Sequence, residues 1–231
     1  MSEPIYLQVC AGLANRLRAT VSGLCAAEEL GREIIISWPT EYAFGATWND
    51  LFEPQAWVAT ITASNLRMCL SPQDWETEKE RKTIRIKSYG AFTRPASWLG
   101  HLRSLRPLKV FQDRVTELFG GVTPIGVHIR RTDNLKAILA SPTSAFVEAM
   151  DKMKGPFYVA TDDEKEYEAM AARYPIIRRE AFLERHSVRG IQDALVDFIA
   201  LSRCSLILGS AASSFSEIAA AYGDTPLRII L

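Results

Sequence analysis

The fold prediction for this chain rests on the stretch Pro124-Ile125-Gly126-Val127-His128-Ile129-Arg130-Arg131-Thr132-Asp133. Its first half is apolar and a segment of helical length follows it, so it predicts a buried strand that ends in two cations. Ligands of open α/β sheets bind at the carboxyl ends of the strands, and arginine presents a rigid fork of donors that matches phosphate oxygens. The stretch therefore predicts an anion site. A surface basic pair that merely ends a strand is the alternative.

The rest of the second half alternates between strands and helices. Apolar runs predict strands at 124–129, 156–160, 175–178, 205–209 and 227–231, and helical patterns separate them near 142–153, 163–173, 190–203 and 213–222. This alternation is typical of a doubly wound parallel sheet.

The first half begins with a βαβ pattern. A strand at 5–9, a helix that ends at Gly31 and a strand at 33–38 are followed by residues 39–80, for which we expect short helices and loops. Between Arg81 and Lys109 the chain has eight Lys or Arg and no Asp or Glu. This basic segment could flank a nucleotide or acceptor cleft, or be a solvated connection between domains.

A helix predicted from Pro107 to the pair Gly120-Gly121 opens the second half. We therefore expect an α/β protein with two Rossmann-like halves that face each other across a cleft. The first half, residues 1–106, is abbreviated, and the second comprises residues 107–231.

Composition limits the possible partners and compartment. The chain has 231 residues, 48% of them apolar, with 27 Lys or Arg against 27 Asp or Glu, so broad attraction to nucleic acid or anionic membranes is not predicted. The cysteines are far apart and without C-x-x-C pairs, which indicates buried thiols in a reducing compartment; they are Cys10, Cys25, Cys69 and Cys204. No leader-like pattern or membrane-length apolar run is present, so we expect a soluble cytoplasmic protein.

Three polar segments follow predicted strands of the second half: residues 128–133, 161–163 and 209–215. The carboxyl ends of parallel strands meet at one edge of a sheet, so these segments are expected to converge. In the last one, backbone N–H groups and the hydroxyls of Ser213 and Ser214 could receive a phosphate at the positive end of a helix.

Helix capping is the alternative explanation for two of these segments. Ser214 followed by Glu217, and Thr161 followed by Glu164, both match a capping box. A cap and a ligand site can coexist, because one serine can cap the helix while its neighbour points outward.

The acidic residues of the second half are open to several interpretations. Asp162 and Asp163 could bind a metal, a ribose or a sugar hydroxyl, or could simply favour a helix start; metal is the weaker idea, because a divalent ion needs more convergent oxygens. Asp193 and Asp197 lie four apart on one helix, as a solvated edge or as partners of Arg130 or Arg131. Dinucleotide, Walker-type, metal-spacing and nucleophile-elbow motifs are absent from the sequence.

Four motifs in this order resemble those of the fucosyltransferase superfamily, which includes α-1,6-, nodulation and protein O-fucosyltransferases. Gly12-Leu13-Ala14-Asn15-Arg16 is similar to the G-x-x-N-[RQ] loop, residues 128–133 to H-x-R-R-x-D, and residues 158–163 to the T-D-D segment. Arg189-Gly190 through Asp197, Leu201 and Ser202, with Ser213-Ser214-Phe215, are similar to the last donor-binding region. The resemblance leaves residues 39–106 largely unassigned.

The resemblance implies a compact GT-B fold and a glycosyltransferase that transfers fucose from GDP-fucose to a glycan or other hydroxyl acceptor, with inversion and without a metal or further cofactor. Arg130, on the β-phosphate, and Asp133 would be the catalytic residues. The substrate-binding residues would be Gly12, Asn15, Arg16, His128, Arg131, Thr161, Asp162, Asp163, Asp197, Ser213, Ser214 and Phe215.

One departure concerns the general base. The α-1,6 enzymes carry a glutamate a few residues after H-x-R-R-x-D, whereas residues 134–139 of this chain contain no carboxylate. The base would be Asp133 or a first-half residue, or the enzyme works without a strong one. A transferase for another nucleotide-sugar, and a non-catalytic nucleotide- or glycan-binding module, are the alternatives.

Overall fold

The structure, a computed structural model, describes residues 3–59, 64–177 and 179–231. Within these ranges the chain forms two compact units. The first contains the described residues up to Leu108 together with Glu184–Ile191, and the second contains the described residues of 109–183 together with Gln192–Leu231. No helix in the described ranges is long and apolar enough to cross a membrane.

The first unit is built on a parallel four-stranded sheet of order β2-β1-β4-β3. Its strands are β1 (Ile5–Val9), β2 (Ile34–Ser37), β3 (Arg67–Met68) and β4 (Arg85–Ser88). Its helices are α1 (Leu13–Leu30), α2 (Pro72–Glu78) and α3 (Trp98–Ser104), with a 3-10 turn at Trp48–Asp50.

The βαβ pattern predicted for the first unit is confirmed. Helix α1 ends where Gly31 adopts a left-handed conformation (φ 58°) and its N–H reaches carbonyls of the last turn. The basic segment, in contrast, is not a solvated connection. It contains β4, which is an inner strand of the sheet. The side chains of Ile86 in β4 and of Ile84 just before it are fully buried and give this strand its apolar contacts.

The second unit has a parallel sheet of order β6-β5-β7-β8. The strands are β5 (Ile125–Ile129), β6 (Phe157–Thr161), β7 (Leu206–Ser210) and β8 (Leu227–Ile230). The helices are α4 (Lys109–Phe119), α5 (Leu135–Ala140), α6 (Thr143–Asp151), α7 (Glu164–Arg173), α8 (Val188–Ser202) and α9 (Ser214–Gly223). The first four residues of α8 fall within the segment assigned to the first unit.

Buried apolar side chains of β5, β6 and β7, including Val127, Val159 and Leu208, pack with Phe146 and Met150 of α6. This core explains why the strands appear in the sequence as near-continuous apolar runs.

One predicted strand of the second half is wrong. Residues 175–177 form no ladder, and only Ile176 makes an isolated bridge, to Phe157; residue 178 lies outside the described ranges. The segment runs beside β6 for too short a distance to extend the sheet. The other four predicted strands and the four predicted helices of this half are confirmed within a few residues.

All four cysteines are buried and unpaired, as predicted from their spacing. Burial raises the pKa of the Cys25 thiol to about 11 and that of Cys204 to about 12. These thiols are therefore protonated at neutral pH and fill space as small apolar groups.

Candidate functional site

The three polar segments of the second unit meet at one edge of its sheet, as predicted. His128 near the end of β5 is in register with Ala160 of β6 and with Gly209 of β7. Strand pairing therefore places residues 128–133 between the other two segments, as the centre of the candidate site.

Arg130 is held in place by two carboxylates. Its Nη1 lies 2.7 Å from Oδ2 of Asp162, and its Nη2 contacts Oδ1 of Asp133. The Arg130 side chain is 21% exposed, so the guanidinium is oriented without being fully covered. Its backbone N–H donates to Ser210 Oγ at 3.0 Å, which ties the strand end to β7. A guanidinium fixed in this way is preorganised for an anion.

Arg131 points into the unit instead. Its Nη1 donates to the Arg130 carbonyl at 2.9 Å, and its Nη2 donates to Thr143 Oγ1 at 3.0 Å and lies 3.4 Å from Glu166 Oε1. The guanidinium also lies over the ring of Phe146, with Cζ 5.9 Å from the centroid. We interpret Arg131 as a support of the loop, with Arg130 as the cation that faces a ligand.

Asp162 organises the loop that follows β5. Its Oδ1 accepts the N–H of Arg131 at 2.7 Å, and its Oδ2 accepts the hydroxyl of Thr132 as well as the contact from Arg130. A carboxylate that accepts several N–H and O–H groups is fixed in orientation. Asp162, which follows the neighbouring strand β6, thus orients the Arg130 guanidinium.

The capping box predicted from Thr161 to Glu164 is wrong. The cap residue of α7 is Asp163, whose Oδ1 accepts the N–H of Glu166 at 2.9 Å. Asp163 has the extended backbone that an N-cap needs (φ −132°, ψ 119°), and its own N–H donates to Thr161 Oγ1 at 3.3 Å.

The capping box predicted from Ser214 to Glu217 does not form either. Ser213 is the N-cap of α9, and its side chain makes no capping hydrogen bond. The loop before it turns at Ala212 (φ 51°), whose carbonyl accepts Asn134 Nδ2 at 2.9 Å. The loop thus brings the start of α9 to the residues that follow Asp133.

The rings of His128 and Phe215 connect residues 128–133 with residues 209–215. The ring centroids are 5.0 Å apart with an interplanar angle of 28°, which is a stacked arrangement. His128 is almost completely buried. The stacking fixes the first turn of α9 against the end of β5.

The predicted positions of Asp193 and Asp197 are wrong. Both carboxylates are buried, so neither is a solvated edge, and their hydrogen-bond partners are residues other than the two arginines of the strand end. Asp193 accepts Arg114 Nη1 at 2.6 Å and the N–H of Phe182 at 2.8 Å.

Asp197 is buried in the core of the second unit. Its Oδ1 accepts the hydroxyl of Tyr158 at 2.5 Å, and its Oδ2 accepts Arg179 Nη2 at 2.6 Å. Burial raises the pKa of its carboxyl to about 6, although the charge of Arg179 acts in the opposite direction. The sequence could not show these pairs, because Tyr158 and Arg179 lie 39 and 18 residues away along the chain.

A small open depression adjoins the T-D-D segment. It is lined by Thr161, Glu164, Tyr167, Arg179, Ala181 and Leu183. Arg179 therefore connects this wall to the buried carboxylate of Asp197. Among the residues that the structure describes, no group of three or more His, Cys, Asp or Glu is placed to hold a metal ion.

In the first unit, Gly12 is the N-cap of α1, and Asn15 and Arg16 lie in its first turn. The Arg16 side chain is fully buried: Nε donates to the Ala11 carbonyl at 2.7 Å and Nη1 to the Pro39 carbonyl at 2.8 Å. Burial lowers the pKa of Arg16 to about 10. The guanidinium holds the loop from within, so we interpret Arg16 as shaping the loop.

Sequence reasoning missed several supports of the site, namely Ser210, Asn134, Thr143 and Glu166. Ser210, Thr143 and Glu166 contact Arg130 or Arg131 from other elements. Asn134, directly after Asp133, donates to the Ala212 carbonyl in the loop before α9. Ser210 belonged to a segment that the sequence singled out, but its role depends on the pairing of β5 with β7.

No protein-family model and no curated protein sequence matches the chain. Solved structures do. The α-1,6-fucosyltransferase NodZ co-crystallised with GDP has a TM-score of 0.69 at 17% identity, over 95% of this chain and 92% of that one. A selenomethionine form of NodZ from Bradyrhizobium has a TM-score of 0.72 at 16% identity, over 99% and 94%. POFUT1 in complex with GDP has a TM-score of 0.60 at 12% identity, over 100% and 99%.

At these identities the likeness establishes the fold alone. The two parallel sheets, with shorter strands in the first, and the similarity to these structures confirm the predicted α/β fold. The chain has a compact GT-B-like fold with two Rossmann-like units, of which the first is abbreviated.

Proposed function

We propose that this protein is a glycosyltransferase that transfers fucose from GDP-fucose to a hydroxyl acceptor, with inversion and without a metal. The observation that carries the proposal is the Arg130 guanidinium, held between Asp133 and Asp162 at the carboxyl edge of the second sheet. The likeness to NodZ, whose structures include one soaked with GDP-fucose, supports the choice of donor.

The chemistry of the proposed reaction matches this geometry. When a sugar–phosphate bond breaks, negative charge accumulates on the departing diphosphate, and a fixed donor aimed at it lowers the barrier. Arg130 would bind the β-phosphate, with Ser213 and Ser214 at the start of α9 as further phosphate ligands. One such donor is worth roughly 10²–10³ in rate.

The other residues divide into contacts with the donor and supports. We assign donor contacts to His128, Phe215 and the Thr161–Asp163 segment, and support to Arg131 and Asp197. The second unit would be the donor side, and the first unit, with Gly12, Asn15 and Arg16, the acceptor side.

Asp133 is the candidate proton acceptor that the site itself offers. Its side chain is 61% exposed and contacts Arg130, so it could meet an incoming hydroxyl. The helix that follows, α5, carries no carboxylate and exposes Leu135 and Leu139.

Substituting Arg130 tests the proposal. Arg130→Ala should keep the fold, abolish transfer from GDP-fucose and weaken GDP binding in calorimetry. The matched control is Arg173→Ala, which removes an exposed guanidinium paired with Asp151 in the same unit. If Arg130→Ala has the same turnover as the wild type, Arg130 is not the ligand of the leaving diphosphate.

A non-catalytic nucleotide- or glycan-binding module is the second candidate, and the absence of a carboxylate in residues 134–139 favours it. Hydrolysis or transfer of the donor separates enzyme from module. Thermal shifts with GDP-fucose, GDP-mannose and UDP-sugars identify the donor, since a ligand at about 100 times its Kd stabilises by roughly 2.7 kcal/mol.

A further inference from the structure

A tight turn after β2 presents an exposed aromatic side chain. Tyr42 lies in the turn from Glu41 to Phe44 and is 95% exposed, the highest value for a large apolar side chain among the described residues. Such turns are usually made of Gly, Pro, Asn, Asp or Ser. A tyrosine there buries almost no surface, so folding of the unit does not explain it.

The turn is held rigidly from both sides. The N–H of Glu41 donates to the Phe44 carbonyl at 2.9 Å, and the N–H of Phe44 donates to the Glu41 carbonyl at 2.8 Å. Below it, the buried Arg16 guanidinium lies 4.1 Å from the ring centroid of Phe44. A turn fixed in this way presents its side chains at low entropic cost.

The next residue, Gly45, fixes the turn to the Glu184–Ile191 segment of the same unit. Its N–H donates to the Arg185 carbonyl at 2.9 Å. A Cβ at Gly45 would lie 2.0 Å from the His186 carbonyl oxygen, so only glycine fits this approach.

The carboxylate beside Tyr42 is oriented and accessible. Glu41 Oε2 lies 3.2 Å from Arg16 Nη2, and Oε1 lies 3.8 Å from Lys87 Nζ near the end of β4. The Glu41 side chain is 32% exposed, and a carboxylate has about four acceptor positions, so some remain available to a ligand. Lys87 adds ammonium donors at the same edge of the sheet.

These groups match the chemistry of a sugar. A pyranose ring has an apolar face of C–H groups that stacks on an aromatic ring, and hydroxyls that both donate and accept hydrogen bonds. The Arg16 side chain is fully buried, and the partly exposed charges of Glu41 and Lys87 offset each other, so the edge presents to solvent no strong net charge that would select a highly charged ligand.

We propose that the Glu41–Phe44 turn is a platform for one hexose of a neutral oligosaccharide, with Tyr42 stacked on the ring and Glu41 and Lys87 on its hydroxyls. The identification of that sugar as the acceptor rests on the proposed function, whereas the binding itself does not.

The test is direct binding in the absence of donor. Tetrasaccharides of β-1,4-glucose, α-1,4-glucose and β-1,4-N-acetylglucosamine, and a Ser/Thr peptide, are titrated by saturation-transfer NMR. Tyr42→Ala should raise the Kd of a bound tetrasaccharide by about tenfold or more, the equivalent of one aromatic contact. Tyr42→Phe keeps the ring and should bind as the parent does. Leu99→Ala, which removes an exposed apolar side chain of α3, is the matched control.

Every outcome is decisive. If no tetrasaccharide binds, if Tyr42→Ala binds one equally well, or if the peptide alone depends on Tyr42, the platform is overturned. GDP titration of the same variants reports on the proposed function separately. Tyr42-dependent sugar binding without GDP binding would keep the platform and reject the transfer reaction.

Discussion

Arg130 and Asp162 lie on neighbouring strand ends, with Nη1 2.7 Å from Oδ2. The same carboxylate also accepts the backbone N–H of Arg131. Asp162, which follows β6, therefore orients the Arg130 guanidinium and also fixes the backbone just after Arg130. The orientation of the candidate phosphate ligand therefore depends on Asp162.

Asp162→Ala should lower the affinity for GDP even though Arg130 itself is unchanged. The guanidinium loses a charge-assisted contact, worth about 1.5–3 kcal/mol, and becomes mobile. Calorimetric titration with GDP measures the effect. Asp151→Ala, which removes an exposed carboxylate paired with Arg173 in the same unit, is the control and should leave GDP affinity unchanged. Equal GDP affinity in wild type and Asp162→Ala would contradict the role assigned to Asp162.

Asp197→Ala should strongly destabilise the second unit. It leaves the buried guanidinium of Arg179 uncompensated and removes the acceptor of the Tyr158 hydroxyl, and breaking a buried pair in this way costs about 3–5 kcal/mol. Urea unfolding gives the free energy. Asp151→Ala breaks the exposed contacts with Arg173 and the Tyr174 hydroxyl and should cost far less. Similar losses for the two variants would refute the distinction.

The pH dependence of stability should include a contribution from Asp74. Hydrogen bonds from the backbone N–H of Leu70, and from Ser71, hold the pKa of its carboxyl below the ordinary value of 3.8. A lowered folded pKa stabilises above pH 3.8, and that stabilisation is lost as the pH falls through the folded value. The difference in unfolding free energy between wild type and Asp74→Asn should thus shrink on acidification. If the difference in unfolding free energy grows as the pH falls, the predicted contribution of Asp74 is contradicted.

The four thiols should react slowly with a disulfide reagent at pH 8 in the native protein. Burial raises the pKa of Cys25 to about 11 and those of Cys69 and Cys204 to about 12, and it also raises the pKa of Cys10. Thiolate, the reactive form, is therefore scarce and inaccessible. Absorbance assays should count four thiols only after unfolding in urea. Rapid modification of a native thiol would show that its burial is transient.

Much of the second unit was predictable because buried parallel strands leave long apolar runs and their helices leave a clear period. The run at 175–178 failed because a short apolar segment does not reveal whether it extends a sheet. The first unit was harder. Strand β4 lies in a segment rich in cations, several of which pair with acids distant in sequence, such as Lys87 with Glu41. Local composition therefore gave no sign of an inner strand.

Of the candidate site, sequence predicted the convergence of its three segments but not the partners within them. Both capping boxes were wrong, because Asp163 and Ser213 have the extended backbone of a cap and the neighbouring Thr161 and Ser214 do not occupy that position. Asp197 was expected on a solvated edge or as a partner of Arg130 or Arg131, and it lies in the core with Arg179 and Tyr158 instead, since the direction of a helical side chain depends on which face packs inward.

The alternation of strands and helices and the residue types at the strand ends can be read from the chain, because burial and helix periodicity act locally. The role of each arginine depends on contacts that form only in the folded protein. Arg131 is turned inward by Thr143 and Glu166, while Arg130 is oriented by Asp162 from the next strand. These contacts join residues 12 to 35 positions apart, and hydrogen bonding at that distance depends on strand register and helix packing, which no local pattern encodes.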